Sequence, residues 1–544
     1  MALASSPDLT KKRFLVVDDY EGMRGILRDI LSRAGAKAID FAANGLNALA
    51  ALDRNDYDVV LCDLHLGSGI NGLQVLEEAR ARELLGPAAV WLIISSEKTP
   101  EMITGIAEAK PDDYLIKPIT ESTLISRLQR QITKKHALEA IEQAIREHEY
   151  LKAMRLADAR ATYDRPHARD LQRILAELSL LTGQTARAQG IFEQVLAERE
   201  IPWALLGLAK IRAQEGDLEA ARKLLQMLSD SHPTYLEGHD WLARILEQQG
   251  EWKAAQDVLE RAVSISPLSP GRQTRLGQAA FKSNDLDTAE TALKKAIGLY
   301  EHVIRKSPEP YLGLTRVYVE KKDTGQALKT LGSLASDMKG DETARLLARA
   351  MEIPVRMSAQ DRDGARAIAA EVADAMRENS HQIPPEVAFE LAAPLMELGD
   401  KTSAAALLSS VVGNNHDHPE LVERAQAVFT QAGLEEEGRQ VVQAATRAAT
   451  EIMNKGVQLS REGKLDEALA MMRQARKRLP YNPRLLLNQA FLLIVTIERR
   501  GHQPELEREA RDCIETARRL KPDDKRVGEL LAKLELLDSN FNPA

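Results

Sequence analysis

Asp18-Asp19, Asp63, Ser95 and Lys117 are far apart along the chain, yet each closes a short apolar run. Three carboxylates gathered in one place repel one another, and a hard divalent cation with oxygen ligands relieves that repulsion. A hydroxyl and an ammonium beside them would let the same place carry a phosphoryl group on a carboxylate, with its charge neutralised on several sides. Taken singly, each residue has a plainer reading. An aspartate is an ordinary helix cap or loop carboxylate, Lys117 a solvated charge and Ser95 a turn residue. Their order, each at the end of a run, is what points to chemistry. Cys62 is expected to be a buried core thiol in either reading.

The elements that must position these side chains alternate. Apolar runs at 14–17, 59–62, 90–94 and 114–116 are separated by helical stretches at 23–34, 45–53, 72–84 and 120–134. Apolar strands alternating with helices imply a parallel sheet covered on both faces. Such doubly wound sheets take ligands at the carboxyl ends of their strands, near the point where strand order reverses.

This constellation resembles the receiver domain of two-component response regulators. Val16-Val17-Asp18-Asp19-Tyr20, followed by Met23-Arg24, is similar to the family's acidic first loop. Asp63 falls at the phosphoacceptor position, Ser95 at the switch hydroxyl, Tyr114 at the switch aromatic, and Lys117-Pro118 at the family's lysine before a cis peptide. The resemblance implies an N-terminal α/β, flavodoxin-like, five-stranded domain over 13–135, after an extension at 1–12. It also implies Mg²⁺ held by Asp18, Asp19, Asp63 and the backbone carbonyl of His65. The imidazole of His65 is not expected to bind metal. One departure stands out: the loop from Leu64 to Gly72 is glycine-rich, with Gly67 where the family commonly has proline and one extra residue before Gly72. It should be more mobile than usual.

A different pattern fills the rest of the 544 residues. Ala176, Ala209, Ala243 and Gly277 are spaced by 33, 34 and 34, and two further columns, Gly183, Gly216, Gly250, Asn284 and Ala188, Ala221, Ala255, Ala289, keep that period. A shared period is the mark of a repeat array. Small residues let paired helices approach, and Gly or Asn suits the left-handed turn between them. The unit resembles the tetratricopeptide repeat (TPR), which implies an all-α superhelix with a groove for protein partners. About ten units are expected over 137–537, before a disordered tail at 538–544. Ala327, Ala365 and Ala404 follow at wider spacings, which predicts extra residues in the inter-helix turns, and the pattern is poor over 422–449. The family's groove positions correspond here to Arg173, Glu177, Trp203, Lys210, Asp240, Arg244 and Gln278.

Composition narrows the function further. An aromatic content of 4% favours helices over β-sandwiches. Formal charge is −8, and residues 1–136, with 17 basic and 19 acidic side chains, account for −2 of it. Neither part is a DNA binder on charge grounds. Two cysteines are too few for a disulfide framework. Neither a signal-peptide core nor an apolar run long enough to span a bilayer is visible, so a cytoplasmic protein without membrane insertion is expected. His416 and His418 lack a third ligand at a useful spacing. The expected function is a non-enzymatic phosphorelay adaptor, taking phosphoryl on Asp63 from a histidine kinase or phosphotransfer protein and acting through the array. The alternatives are a phosphate-independent scaffold with a docking receiver, or control of an unrecognised activity within 341–450. No flexible linker separates the halves, and Leu138, Ile141 and Ile145 continue a helical spacing beyond residue 134. A rigid junction is therefore predicted.

Overall fold

The computed structural model describes residues 8–541 except 68, 98, 100–104, 107, 301–305, 380–382, 502 and 522–523. Residues 1–7 of the expected extension and 542–544 of the expected tail lie outside them. Two compact units emerge, one of Met1–Leu178, Ala186–Ser283 and Lys294–Lys306, the other of Ser179–Thr185, Asn284–Leu293 and Ser307–Ala544.

The first unit opens with five parallel strands in the order β2-β1-β3-β4-β5: β1 Arg13–Val17, β2 Ala38–Ala42, β3 Val59–Asp63, β4 Val90–Ser95 and β5 Asp113–Ile116. Successive residues face opposite sides of a sheet, and the core divides accordingly. Phe14, Val16, Val59, Leu61, Val90 and Leu92 join one hydrophobic cluster. Leu15, Val17, Val60, Cys62, Trp91 and Ile93 join the other. Burial on both sides explains why β3 and β4 read as unbroken apolar runs; every residue of each is buried. Helices Glu21–Arg33, Gly45–Arg54 and Gly72–Ala81 connect the strands.

The last helix of this domain does not stop at its edge. Glu121–Arg146 is one 26-residue helix, capped by the Thr120 hydroxyl, and it buries Leu124 and Leu128 under the sheet and Leu138 and Ile141 beyond it. Asp113 at the start of β5 is anchored to it by Arg127, Arg130 and Gln131. Further along, Lys134 pairs with Asp170 at 2.6 Å and Lys135 with Asp112 at 3.2 Å. The predicted helical junction is present.

The helices that follow pair up as the columns require. Ala188, Ala221, Ala255, Ala289, Ala327, Ala365 and Ala404 have no exposed surface at all. Extra methylenes in such a packed position cost about 1–3 kcal/mol, which accounts for the small side chain at every one. The turn column is equally regular: Gly183, Gly216, Gly250, Gly399, Gly433 and Gly463 all have positive φ, and so do Asn284, Lys322 and Gln360. After several of these turns an aspartate (Asp217, Asp323, Asp400) accepts from the backbone three residues on and starts the second helix.

Three expectations are corrected. Before Ala365 and Ala404 the extra residues lengthen helices rather than turns, as in Glu342–Ser358 with 17 residues and Arg362–Asn379 with 18. Before Ala327 they fall as expected between helices, the flanking Leu286–Leu299 and Glu309–Glu320 having 14 and 12 residues. The turn is fixed by its left-handed residue, whereas helix length is free to vary. Over 422–449 the pattern fails because Glu435–Arg461 is a single helix of 27 residues that merges two expected helices. The final helix, Lys525–Phe541, carries regular structure past 538. Among the described residues no helix is long and apolar enough to cross a membrane.

Candidate functional site

Strand order reverses between β1 and β3, and the acidic side chains meet at that point. Asp18 leaves the end of β1 and Asp63 is the last residue of β3; with the exposed Asp19 they offer carboxylate oxygens that all lie within 4.8 Å of one another. Lys117, one residue past β5, reaches back between two of them, donating from Nζ to Asp63 Oδ2 at 2.7 Å and to Asp18 Oδ2 at 2.9 Å. The Lys117-Pro118 peptide is cis.

The electrostatics follow from this burial. Asp18 is 1% exposed. Burial drives its carboxyl above the ordinary aspartate range, against the opposing hydrogen bonds from Lys117 and the Tyr20 amide. Burial would lower Lys117, but its hydrogen bonds to Asp63 and Asp18 outweigh that and hold it above the ordinary lysine value, firmly ammonium. Hard oxygen donors without sulfur or imidazole suit a cation of the Mg²⁺ type. The donor set on Asp18, Asp19 and Asp63 therefore fits the ion the resemblance implies.

The loops around the pocket are set by local chemistry. Gly72 opens the helix after β3 so close to that strand that a Cβ there would lie 2.1 Å from the Asp63 carbonyl oxygen and 3.0 Å from Cys62 Sγ. Asn71 caps that helix with a reciprocal box through Gln74. In the glycine-rich loop, Gly67 and Gly69 adopt positive φ, and a Cβ on Gly67 would touch Asp19 Oδ2 at 3.4 Å. The His65 imidazole turns away from the carboxylates toward Glu97, Nε2 to Oε1 at 3.3 Å. Ser95 is fully buried at the end of β4 and accepts from the Glu97 amide. The Tyr114 hydroxyl donates to the Glu97 carbonyl oxygen. Ser95, Glu97 and Tyr114 are thus tied into one cluster. Cys62 is buried, and burial pushes its thiol well up.

The groove residues are paired rather than free. Arg173 donates to Glu177 at 2.7 Å, and Lys210 to Glu237 at 2.9 Å. Asp240 binds Arg272. Trp203 packs edge-on against Phe192 at 5.9 Å between ring centroids. Gln278 is half-buried. The sequence reading passed over Trp241, whose ring lies beneath both Arg244 at 4.7 Å and Lys210 at 5.2 Å. A lone tryptophan in a helical repeat gives no hint of two cations converging on it. His416, in the second unit, contacts Asn482 at 3.0 Å and joins no metal cluster among the described residues.

Comparison with known proteins divides the chain in the same way. Residues 14–129 match the response regulator receiver domain, and residues 179–245, 236–279 and 273–302 match tetratricopeptide repeats. Chemotaxis protein CheY-3 of Vibrio cholerae serotype O1 is 35% identical over 118 residues, covering 22% of this chain and 89% of that protein. Sensory/regulatory protein RpfC of Xanthomonas campestris pv. campestris is 35% identical over 118 residues, 21% of this chain and 16% of that protein. The solved structure of chemotaxis response regulator CheY4 of Vibrio cholerae is 26% identical, with 22% of this chain and 98% of that one covered and a TM-score of 0.21. The chain belongs to the response regulator receiver family, and tetratricopeptide repeats follow its receiver domain.

Proposed function

We propose that the protein is a phosphorylation-dependent adaptor of a two-component phosphorelay. Asp63 is the acceptor and the repeat array is the protein-binding half. The observation that supports this most is Lys117 spanning Asp63 and Asp18 within a cluster of three carboxylates. A carboxylate oxygen of Asp63 attacks the phosphorus of a phosphohistidine on the donor. The nitrogen–phosphorus bond breaks, its electron pair returns to the donor's imidazole, and an acyl phosphate is left on Asp63. Mg²⁺ held by Asp18, Asp19, Asp63 and the His65 carbonyl supplies charge neutralisation when bound. Lys117 exchanges its contact with Asp63 for one with the phosphoryl oxygens. Ser95 donates its hydroxyl to another phosphoryl oxygen and draws the segment after β4 inward, and Tyr114, tied to that segment at Glu97, follows.

Partners of two kinds follow from this reading: a sensor histidine kinase or phosphotransfer protein for the receiver, and a protein or peptide for the array. The test is labelling of the full chain with radiolabelled acetyl phosphate and Mg²⁺. Wild type should take label and Asp63→Asn should not. An intact protein that takes no label, with Mg²⁺ present, overturns the reading in favour of a phosphate-independent scaffold.

A further inference from the structure

Within the first unit, the receiver reaches the array at a second place, far in sequence from the shared helix. Glu108, five residues before β5, meets Arg272 across 164 positions of the chain. The guanidinium donates from Nη2 to Glu108 Oε1 at 2.6 Å and from Nη1 to Oε2 at 3.4 Å. The Ser266 hydroxyl donates to the same Oε2 at 2.5 Å. Both donors belong to the array and both are buried, Arg272 at 5% exposure and Ser266 at 4%. Asp240 holds the guanidinium from its other side, at 2.8 and 3.1 Å. Asp240 thus orients the guanidinium before Glu108 is counted, and with the Ser266 hydroxyl beside it the guanidinium makes a carboxylate socket.

Around this contact the two surfaces do not close. A cavity of about 730 Å³ remains, lined by Glu108, Lys110 and Asp112 of the receiver and by Tyr235, Glu237 and Asp240 of the array, among others. Across it the charges correspond. Burial would raise Glu237, but Lys210 and then Lys110 pull it below the ordinary glutamate range. The receiver's Glu108-Ala109-Lys110 thus presents an acid to Arg272 and, two residues on, a base toward Glu237. Its backbone is braced from behind by Arg80, which donates to the Ala109 and Lys110 carbonyl oxygens. A contact built from charge pairs around an unfilled cavity lacks the packing of a permanent interface.

We propose that the Arg272–Ser266 socket is a partner-binding site of the array and that Glu108 is its ligand in cis. The external ligand is a protein segment with an acidic residue followed two positions later by a basic one, and it enters when the receiver corner withdraws. This rests on the array being the protein-binding half, and the experiment separates the two.

The probe is a fluorescein-labelled peptide with the chain's own sequence from Gly105 to Asp113, titrated against the full-length protein by anisotropy. A tethered competitor acts at an effective concentration on the order of millimolar, so Glu108→Gln protein should bind the peptide at least roughly tenfold more tightly than wild type. Adding Arg272→Gln to that variant, or replacing the peptide's glutamate by glutamine, should remove the binding. Equal binding by wild type and Glu108→Gln overturns the proposal, as does the absence of saturable binding to Glu108→Gln at millimolar peptide. A second measurement needs no ligand. Glu108→Arg sets a cation against the Arg272 guanidinium and should raise hydrogen exchange in the helix Leu236–Gln248, whereas in an Arg272→Gln background the same substitution should add little. An equal rise in both backgrounds, or none in either, refutes the cis contact. Success there with failure of the peptide leaves a structural ion pair and overturns the partner site, while acetyl phosphate labelling of Asp63 stands as a separate result.

Discussion

Removing the charge of Lys117 while keeping its bulk, Lys117→Met, leaves Asp18 and Asp63 facing one another without a counter-ion. At the observed 2.7 and 2.9 Å, each contact is worth about 6 kcal/mol of Coulomb energy at an effective dielectric of about 20. Desolvation cancels much of that, and loss of one partner from a buried pair costs about 3–5 kcal/mol in all. Lys117 and Asp63 keep 19% and 10% of their side-chain surface, which places the expectation at the lower end. Asp18, already raised by burial, moves further up in the variant and takes a proton more readily, which limits the loss. The metal-free variant should therefore be destabilised by about 3 kcal/mol near neutral pH, on the order of a hundredfold in the opening equilibrium. The sign with pH is fixed. A carboxyl raised in the folded state binds more protons folded than unfolded, so the variant's deficit shrinks as pH falls toward the raised value of Asp18 and grows above it. Mg²⁺ should stabilise the variant more than wild type, since the ion is then the remaining counter-charge. Urea-dependent hydrogen exchange of peptides covering β1 and β3, in EDTA and in Mg²⁺, reads all three effects. A metal-free variant as protected as wild type, or a deficit independent of pH, refutes the electrostatic account.

Gly72→Ala should cost about 1–3 kcal/mol by overpacking and slow acetyl phosphate labelling, because the added methyl must push against the Asp63 backbone; thermal melting and labelling rate check it. Lys322→Gly and Gln360→Gly should each stabilise the protein by about 1 kcal/mol, since both positions hold positive φ that glycine adopts without strain, and urea titration measures the gain. His239 is buried between Ser229 and the Pro233 carbonyl oxygen, and burial holds its imidazole below the ordinary 6.5. Below that pH the unfolded chain takes a proton that the folded one refuses, so stability falls as pH drops until the lowered value is passed. His239→Gln should flatten that part of the stability profile, and an unchanged profile counts against the assignment.

The acidic site was legible because its members stand at strand ends, where a one-dimensional pattern still marks position. β2 was not among the visible runs. It is an edge strand of partly exposed residues, Ala38–Ala42, with Phe41 turned out, and an edge strand needs no continuous apolar run. In the array, buried alanines and glycine turns gave the period. Lys322 and Gln360 hid two further turns because they hold the same left-handed backbone without the residue that advertises it. The merged helix Glu435–Arg461 was missed because two amphipathic segments with compatible phase look alike whether a turn separates them or not. The Glu108–Arg272 contact leaves no local trace, since along the sequence each residue is one charge among many and only the fold brings them together.

The helix Glu121–Arg146 also constrains how this architecture can change over time. An α-helix turns by about 100° and advances by about 1.5 Å with each residue. A single residue inserted between Lys135 and Ala137 would swing everything beyond it a quarter-turn or more around the helix axis, carrying Arg272 away from Glu108. Seven residues would nearly restore the azimuth but displace the array by about 10 Å, several times the reach of that ion pair. The shared helix works as dial and ruler together, and no insertion satisfies both readings. Length variation in descendants of this chain should therefore collect elsewhere, in the loop after Asp63 and in the longer helices of later repeats, while the span from Thr120 to Arg146 keeps its residue count.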